Sequence, residues 1–190
     1  SAMASVFPLS DMNTMAVVIF VFLPIHLVNL GIPKFYLTLI VGCRYVTMEK
    51  DKVFLKMALN EALEGIRAGH GGPFGCVIVR DGEVIDHGHN RVMIDHDPTA
   101  HGEISAIRNA CKRLGTIDLS GCTLYTNSQP CPMCMAAISW AKVGRVVYAS
   151  TVDEANSVLG FKDKAIWDAM RSGRDLVPTS HIHIDGYLSP

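Results

Sequence analysis

Two stretches decide how this chain reads: Pro98–Glu103, "PTAHGE", and Gln129–Cys134, "QPCPMC". Each opens a helical segment. In "AHGEISAIRNACKRLG" (100–115) Ile104, Ile107, Cys111 and Leu114 recur on one helical face, and Gly115 is placed as a C-cap. "PCPMCMAAISWAKVG" (130–144) is an apolar helix with prolines at its start, where a missing N–H costs nothing. The 30 residues from His101 to Cys131 leave room for one helix, a turn and the short β-branched strand "CTLYTNS".

The same reading extends to either side. "GCVIVR" and "EVIDHG" flank Asp81-Gly82, a two-residue hairpin turn, and "RVVYAS" is a further strand. Leu55, Leu59, Leu63 and Ile66 predict an amphipathic helix over 50–68, stopped by Gly69-His70-Gly71-Gly72-Pro73. Helices that alternate with strands after a hairpin give an α/β fold, a mixed sheet with helices packed on its faces.

His101 at one helix start and Cys131-x-x-Cys134 at another supply three metal donors. Cys131 and Cys134 lie about one helical turn apart, and a helix N-terminus favours the thiolate form. Three protein ligands leave one tetrahedral position open, which distinguishes a catalytic zinc site from a closed structural one. Glu103 is too near His101 in sequence to serve well as a fourth ligand and is better placed to take and pass on a proton. A lone Cys-x-x-Cys also fits a redox pair or structural zinc. A redox pair would follow a strand in a thioredoxin-like setting, and a structural site would have to draft His87, His89 or His96 from an Asp-rich hairpin and loop.

Net charge is −1 with a pI near 6.7, so no global field draws the protein to nucleic acid. The six cysteines are scattered unevenly, unlike a secreted disulfide framework, and predict reduced thiols in a cytoplasmic protein. Cys76 and Cys111 are read as small core residues. Excess apolarity lies at the N-terminus: 12–33 carry no charge, and "MAVVIFVFLPIHLVNLGI" approaches the length of a membrane span. Pro24, His26 and Asn29 speak against a span, and Asp11 against a signal peptide. The catalytic domain is therefore expected over 48–190, with 1–47 as an anchor, an extra segment or an over-extended start.

The pattern His-x-Glu … Pro-Cys-x-x-Cys is the signature of zinc-dependent nucleobase deaminases. With "GGPFGCVIV", "DPTAHGEISAIRNAC", "LYTNSQPCPMCMAAISWA" and "LGFKD", the chain resembles the cytidine and deoxycytidylate deaminase superfamily, most of all its bacterial guanine deaminases. The resemblance implies a three-layer α/β/α sandwich around a five-stranded mixed sheet, and a homodimer acting on a small nucleobase. It places Zn2+ on His101, Cys131 and Cys134 and the proton shuttle on Glu103. It also implies base contacts from Asn90 and Asp163, the latter donated by a partner when C-terminal segments are swapped, and a pocket lined by Phe74 and Trp140. The backbone N–H groups of Gly102 and Cys131 are expected to serve as oxyanion donors.

Departures from the pattern leave other substrates open. Gly102 stands where guanine deaminases usually carry Ala, and "HGE" is what fungal cytosine deaminases carry. Gln129 replaces the commoner Glu. Tyr187 does not match the substrate-binding tyrosine of the terminal helix that those enzymes have. Cytosine is thus the second substrate expected and a tRNA adenosine the third, the latter weakened by the neutral charge. The reading from another class is a non-catalytic zinc module.

Overall fold

The computed structural model describes residues 34–160 and 163–180, with side chains from residue 48 onward. The chain divides into two units between Lys50 and Asp51. Most of the apolar stretch 12–46, and Tyr187, lie outside the described residues. Among the described residues no helix is long and apolar enough to cross a membrane.

The elements run α1 (Lys34–Arg67), β1 (Gly75–Arg80), β2 (Glu83–His89), α2 (Val92–Asp95), α3 (Gly102–Leu114), β3 (Cys122–Ser128), α4 (Pro132–Trp140), β4 (Arg145–Ser150), α5 (Val152–Leu159) and α6 (Asp163–Arg171). The sheet order is β2-β1-β3-β4. β1 pairs antiparallel with both β2 and β3, whereas β3 and β4 are parallel and joined by the α4 crossover. The fold is α/β with a mixed sheet. Among the described residues the sheet has four strands where five were expected, and β4 is followed there by α5 and α6.

Strand alternation sorts the core into two halves. Cys76, Ile78, Cys122 and Leu124 face α3 and α4, packing on Ala106, Ala110 and Ile138. Val77, Val79 and Tyr125 face α1, packing on Ala58 and Phe54. At the hairpin Asp81 and Gly82 both take positive φ, 53° and 83°, as a primed turn requires. Gly115 caps α3 at φ 65°.

Two helices differ from their sequence reading. The first begins at Lys34, well before residue 50. Its buried face is also not the leucine stripe: Ala58 and Ala62 are buried while Leu59, Leu63 and Ile66 are exposed. A Cβ on Gly75 would clash with the Ala58 carbonyl oxygen and the Ala62 nitrogen, so the helix backbone rests directly on β1 and only small residues fit between. The leucines instead line an apolar groove of about 310 Å³ opposite Val158 and Leu159 of α5. Likewise the buried face of α3 centres on Ala106 and Ala110, because Gly88 of β2 approaches the Ala106 nitrogen. Ile107, Cys111 and Leu114 pack at its margin.

Candidate metal centre and base pocket

His101 and Cys131 are the N-cap residues of α3 and α4, with extended backbones, and neither side chain caps its own helix. Both are turned toward each other instead. His101 Nδ1 lies 3.5 Å from Cys131 Sγ and 3.6 Å from Cys134 Sγ, and the three donor atoms all fall within 4.8 Å of one another. A tetrahedral zinc with ordinary Zn–S and Zn–N bonds sets its sulfur and nitrogen ligands about 3.5 Å apart. The donor set therefore fits Zn2+ in spacing and in chemistry.

The two thiols are driven in opposite directions. The Cys131 thiol is held down to about 4 by the hydrogen bond from Cys134, with His101 adding to the effect and burial opposing it. Cys134 is pushed upward by the same bond and by burial. His101 is raised through its bond to Cys131.

Glu103, only 5% exposed, sits beneath the cluster. Cys134 Sγ donates to its Oε2 over 3.5 Å, and the Thr126 hydroxyl approaches its Oε1 over 3.5 Å. Burial raises its pKa, the shift of a carboxyl suited to holding and releasing a proton.

Asn90, also 5% exposed, has a fixed amide. Its Oδ1 accepts from the N–H of Gly72 (3.1 Å) and of Val92 (3.2 Å), which leaves its NH2 as the group able to donate to a ligand. A Cβ on Gly71 would clash with that Oδ1, so the turn needs glycine there. Phe74 accepts the Asn90 N–H on its carbonyl over 2.8 Å.

Phe74 and Asp163 line one narrow cavity together with Ser128, Gln129, Val152 and Asn156. Asp163 is raised by burial and by the nearby Cys131. Trp140 is the exception. At 85% exposure it stands at the end of α4 opposite Cys131 and does not line this cavity, because the helix axis carries it away from the metal donors.

The sequence reading missed Asn127, whose Oδ1 accepts from Gly75 N and whose Nδ2 donates to the Pro73 carbonyl, each at 2.9 Å. It clamps the backbone on either side of Phe74. Its partners lie more than fifty residues away in sequence, and only the position of Asn127 at the end of a strand hinted at them. Gln129 Oε1 accepts the Val152 N–H over 3.1 Å, a role that Glu would fill equally.

Residues 48–150 match the cytidine and deoxycytidylate deaminase zinc-binding region. The chain belongs to this deaminase family. Within it, the chain is 45% identical over 141 residues to a guanine deaminase of Bacillus subtilis, covering 73% of this chain and 90% of that protein. The crystal structure of guanine deaminase from Bacillus subtilis superposes with a TM-score of 0.67 at 44% identity, covering 72% of this chain and 88% of the other. A tRNA-specific adenosine deaminase of Aquifex aeolicus is 43% identical over 97 residues, 51% of this chain and 64% of that protein. The deaminase family thus accounts for the three donors as a zinc centre.

Proposed function

We propose that this protein hydrolytically deaminates a free nucleobase, guanine to xanthine with release of ammonia. The observation that carries the reaction is a solvent-excluded carboxylate, Glu103, set 3.5 Å from one sulfur of a three-donor zinc site. The choice of guanine is supported by the match to a guanine deaminase over nearly its whole length.

His101, Cys131 and Cys134 would hold zinc, which when bound would act as a Lewis acid and make water acidic enough to ionise near neutral pH. Glu103 takes the proton of the attacking water and delivers it to the ring nitrogen beside the attacked carbon. It then takes the hydroxyl proton of the tetrahedral intermediate and passes it to the departing amine, so that the C–N bond breaks as the C=O bond forms and ammonia leaves. The Asn90 NH2 donates to an acceptor on the base. The Asp163 carboxylate accepts from its N–H groups, and Phe74 packs on the ring. The N–H groups of Gly102 and Cys131, at helix starts where no intrahelical acceptor exists, steady the developing oxyanion.

Cysteine ligands and free buried cysteines support a reducing, cytoplasmic setting. The exposed apolar groove between α1 and α5 supports assembly as a homodimer. Zinc-loaded protein given guanine, cytosine, adenine and a tRNA in parallel, with Glu103→Gln as the blank, tests the reading by ammonia release. Turnover of guanine is expected. Turnover of cytosine alone would make Gly102 the better guide to substrate, and turnover of tRNA alone would favour the likeness to the adenosine deaminases.

A further inference from the structure

Outside the metal centre two histidines, His87 and His89, meet one carboxylate, and a third, His70, bonds to His89. Glu61 of α1 receives His87 Nδ1 on Oε1 at 2.8 Å and faces His89 Nδ1 with Oε2 at 3.4 Å. On its other side His89 Nε2 lies 2.8 Å from His70 Nδ1, with the two rings stacked at 5.1 Å. The carboxylate fixes the tautomers. Nδ1 of His89 carries the proton toward Glu61, so Nε2 is the acceptor and His70 Nδ1–H is the donor. His89 is wedged against α1, where a Cβ on Gly65 would lie 2.7 Å from its ring.

The relay ends on the segment that shapes the base pocket. The His70 carbonyl accepts the N–H groups of Met93 (3.0 Å) and Ile94 (3.2 Å), and its own N–H bonds the Gly65 carbonyl at 2.9 Å. Asn90 follows His89 directly, and its Oδ1 is held by Gly72 N from this loop and by Val92 N. The His70–His89 bond therefore joins, side chain to side chain, the two strands of backbone between which the Asn90 amide is oriented. Nothing in the metal chemistry needs these histidines, and a surface helix face alone would not account for a bond of this length between two rings.

We propose that Glu61, His89 and His70 are positioning residues, a hydrogen-bonded relay that holds the Gly69–Phe74 turn against Asn90 and so sets the affinity for the base. The proposal rests on the reading of Asn90 as a base contact. It predicts an effect on KM and not on the proton transfers of Glu103.

The test compares His70→Leu, which removes the donor, with His70→Asn, whose amide N–H replaces Nδ1–H. In steady-state kinetics with guanine, His70→Leu is expected to raise KM about tenfold with kcat within twofold, and His70→Asn to restore KM to within about threefold of wild type. Amide hydrogen exchange of zinc-loaded protein without any base is expected to speed up at Gly72, Val92 and Met93 in His70→Leu and to recover in His70→Asn. An unchanged KM and exchange in His70→Leu, or an equal defect in both variants, would overturn the relay. Should His70→Leu not fold, Glu61→Gln is read in its place, with a KM rise of about threefold expected and no change overturning the proposal. If wild-type protein turns over no guanine, the proposed function fails while exchange still judges the relay.

Discussion

A methyl group on Gly102 would lie 2.9 Å from the carbonyl oxygen of Phe74, closer than side-chain carbons normally approach. That oxygen is also the acceptor for the Asn90 N–H. One residue of the metal-binding turn therefore limits where the pocket wall and its amide can sit. Gly102→Ala should force Phe74 to shift by a few tenths of an ångström, costing about 1–3 kcal/mol as overpacking does. The expected result is a lower Tm together with a changed ratio of kcat/KM for guanine over cytosine. Unaltered Tm and ratio would mean that the wall yields freely.

Glu103→Gln preserves the shape of the buried side chain and its contacts with Thr126 and Cys134 but removes the proton acceptor. Turnover should fall by about 10²–10⁴ with zinc content and Tm nearly unchanged. Metal analysis beside the rate assay checks this, and near-wild-type activity would remove Glu103 from the mechanism.

Zinc removal should loosen two helices at once, since His101 and Cys131 begin α3 and α4. Chelation is expected to lower Tm and to speed hydrogen exchange in the first turns of both helices, with readdition of one equivalent of zinc restoring both. Exchange confined to a single helix would mean that the three donors do not share one ion.

Asp51 ties α1 to the sheet, bonding the guanidinium of Arg145 (2.7 Å) and the Tyr125 hydroxyl (2.8 Å). Arg145 first, with help from Tyr125, holds its carboxyl below the ordinary value of 3.8. A depressed pKa gives stability that is present above about pH 4 and is lost as pH falls through the lower folded-state value. Asp51→Asn should therefore lower stability at pH 7 by about 1–3 kcal/mol and make the acid-unfolding profile shallower. Denaturant melts at pH 7 and pH 3 measure both.

Much of this was legible in the sequence because it is local. The hairpin turn, the Gly115 cap, the proline at the start of α4 and the Cys131–Cys134 pair each depend on neighbours within a few residues, and His101, thirty residues earlier, was legible through the two-part motif. The leucine stripe of α1 misled because periodicity marks an apolar face without saying what lies against it. Here backbone contact at Gly75 gave the sheet to Ala58 and Ala62. Asn127, Thr126 and the His70–His89 bond depend on partners brought together only by the sheet, so no motif announced them. Trp140 lay inside a quoted motif, yet the helix carries it to the opposite end from Cys131.

Ser, Thr, Asp or Asn at an N-cap secures the first turn of a helix, and in this protein the two helices at the centre have His101 and Cys131 there instead. Each has surrendered its own fastening to serve the ion. A lineage released from selection for activity would find stabilising substitutions at these two positions, since His101→Ser or Cys131→Asp destroys the centre while giving the metal-free chain a cap worth about 1 kcal/mol. The residues that make this fold useful are thus places where it is weaker than it could be.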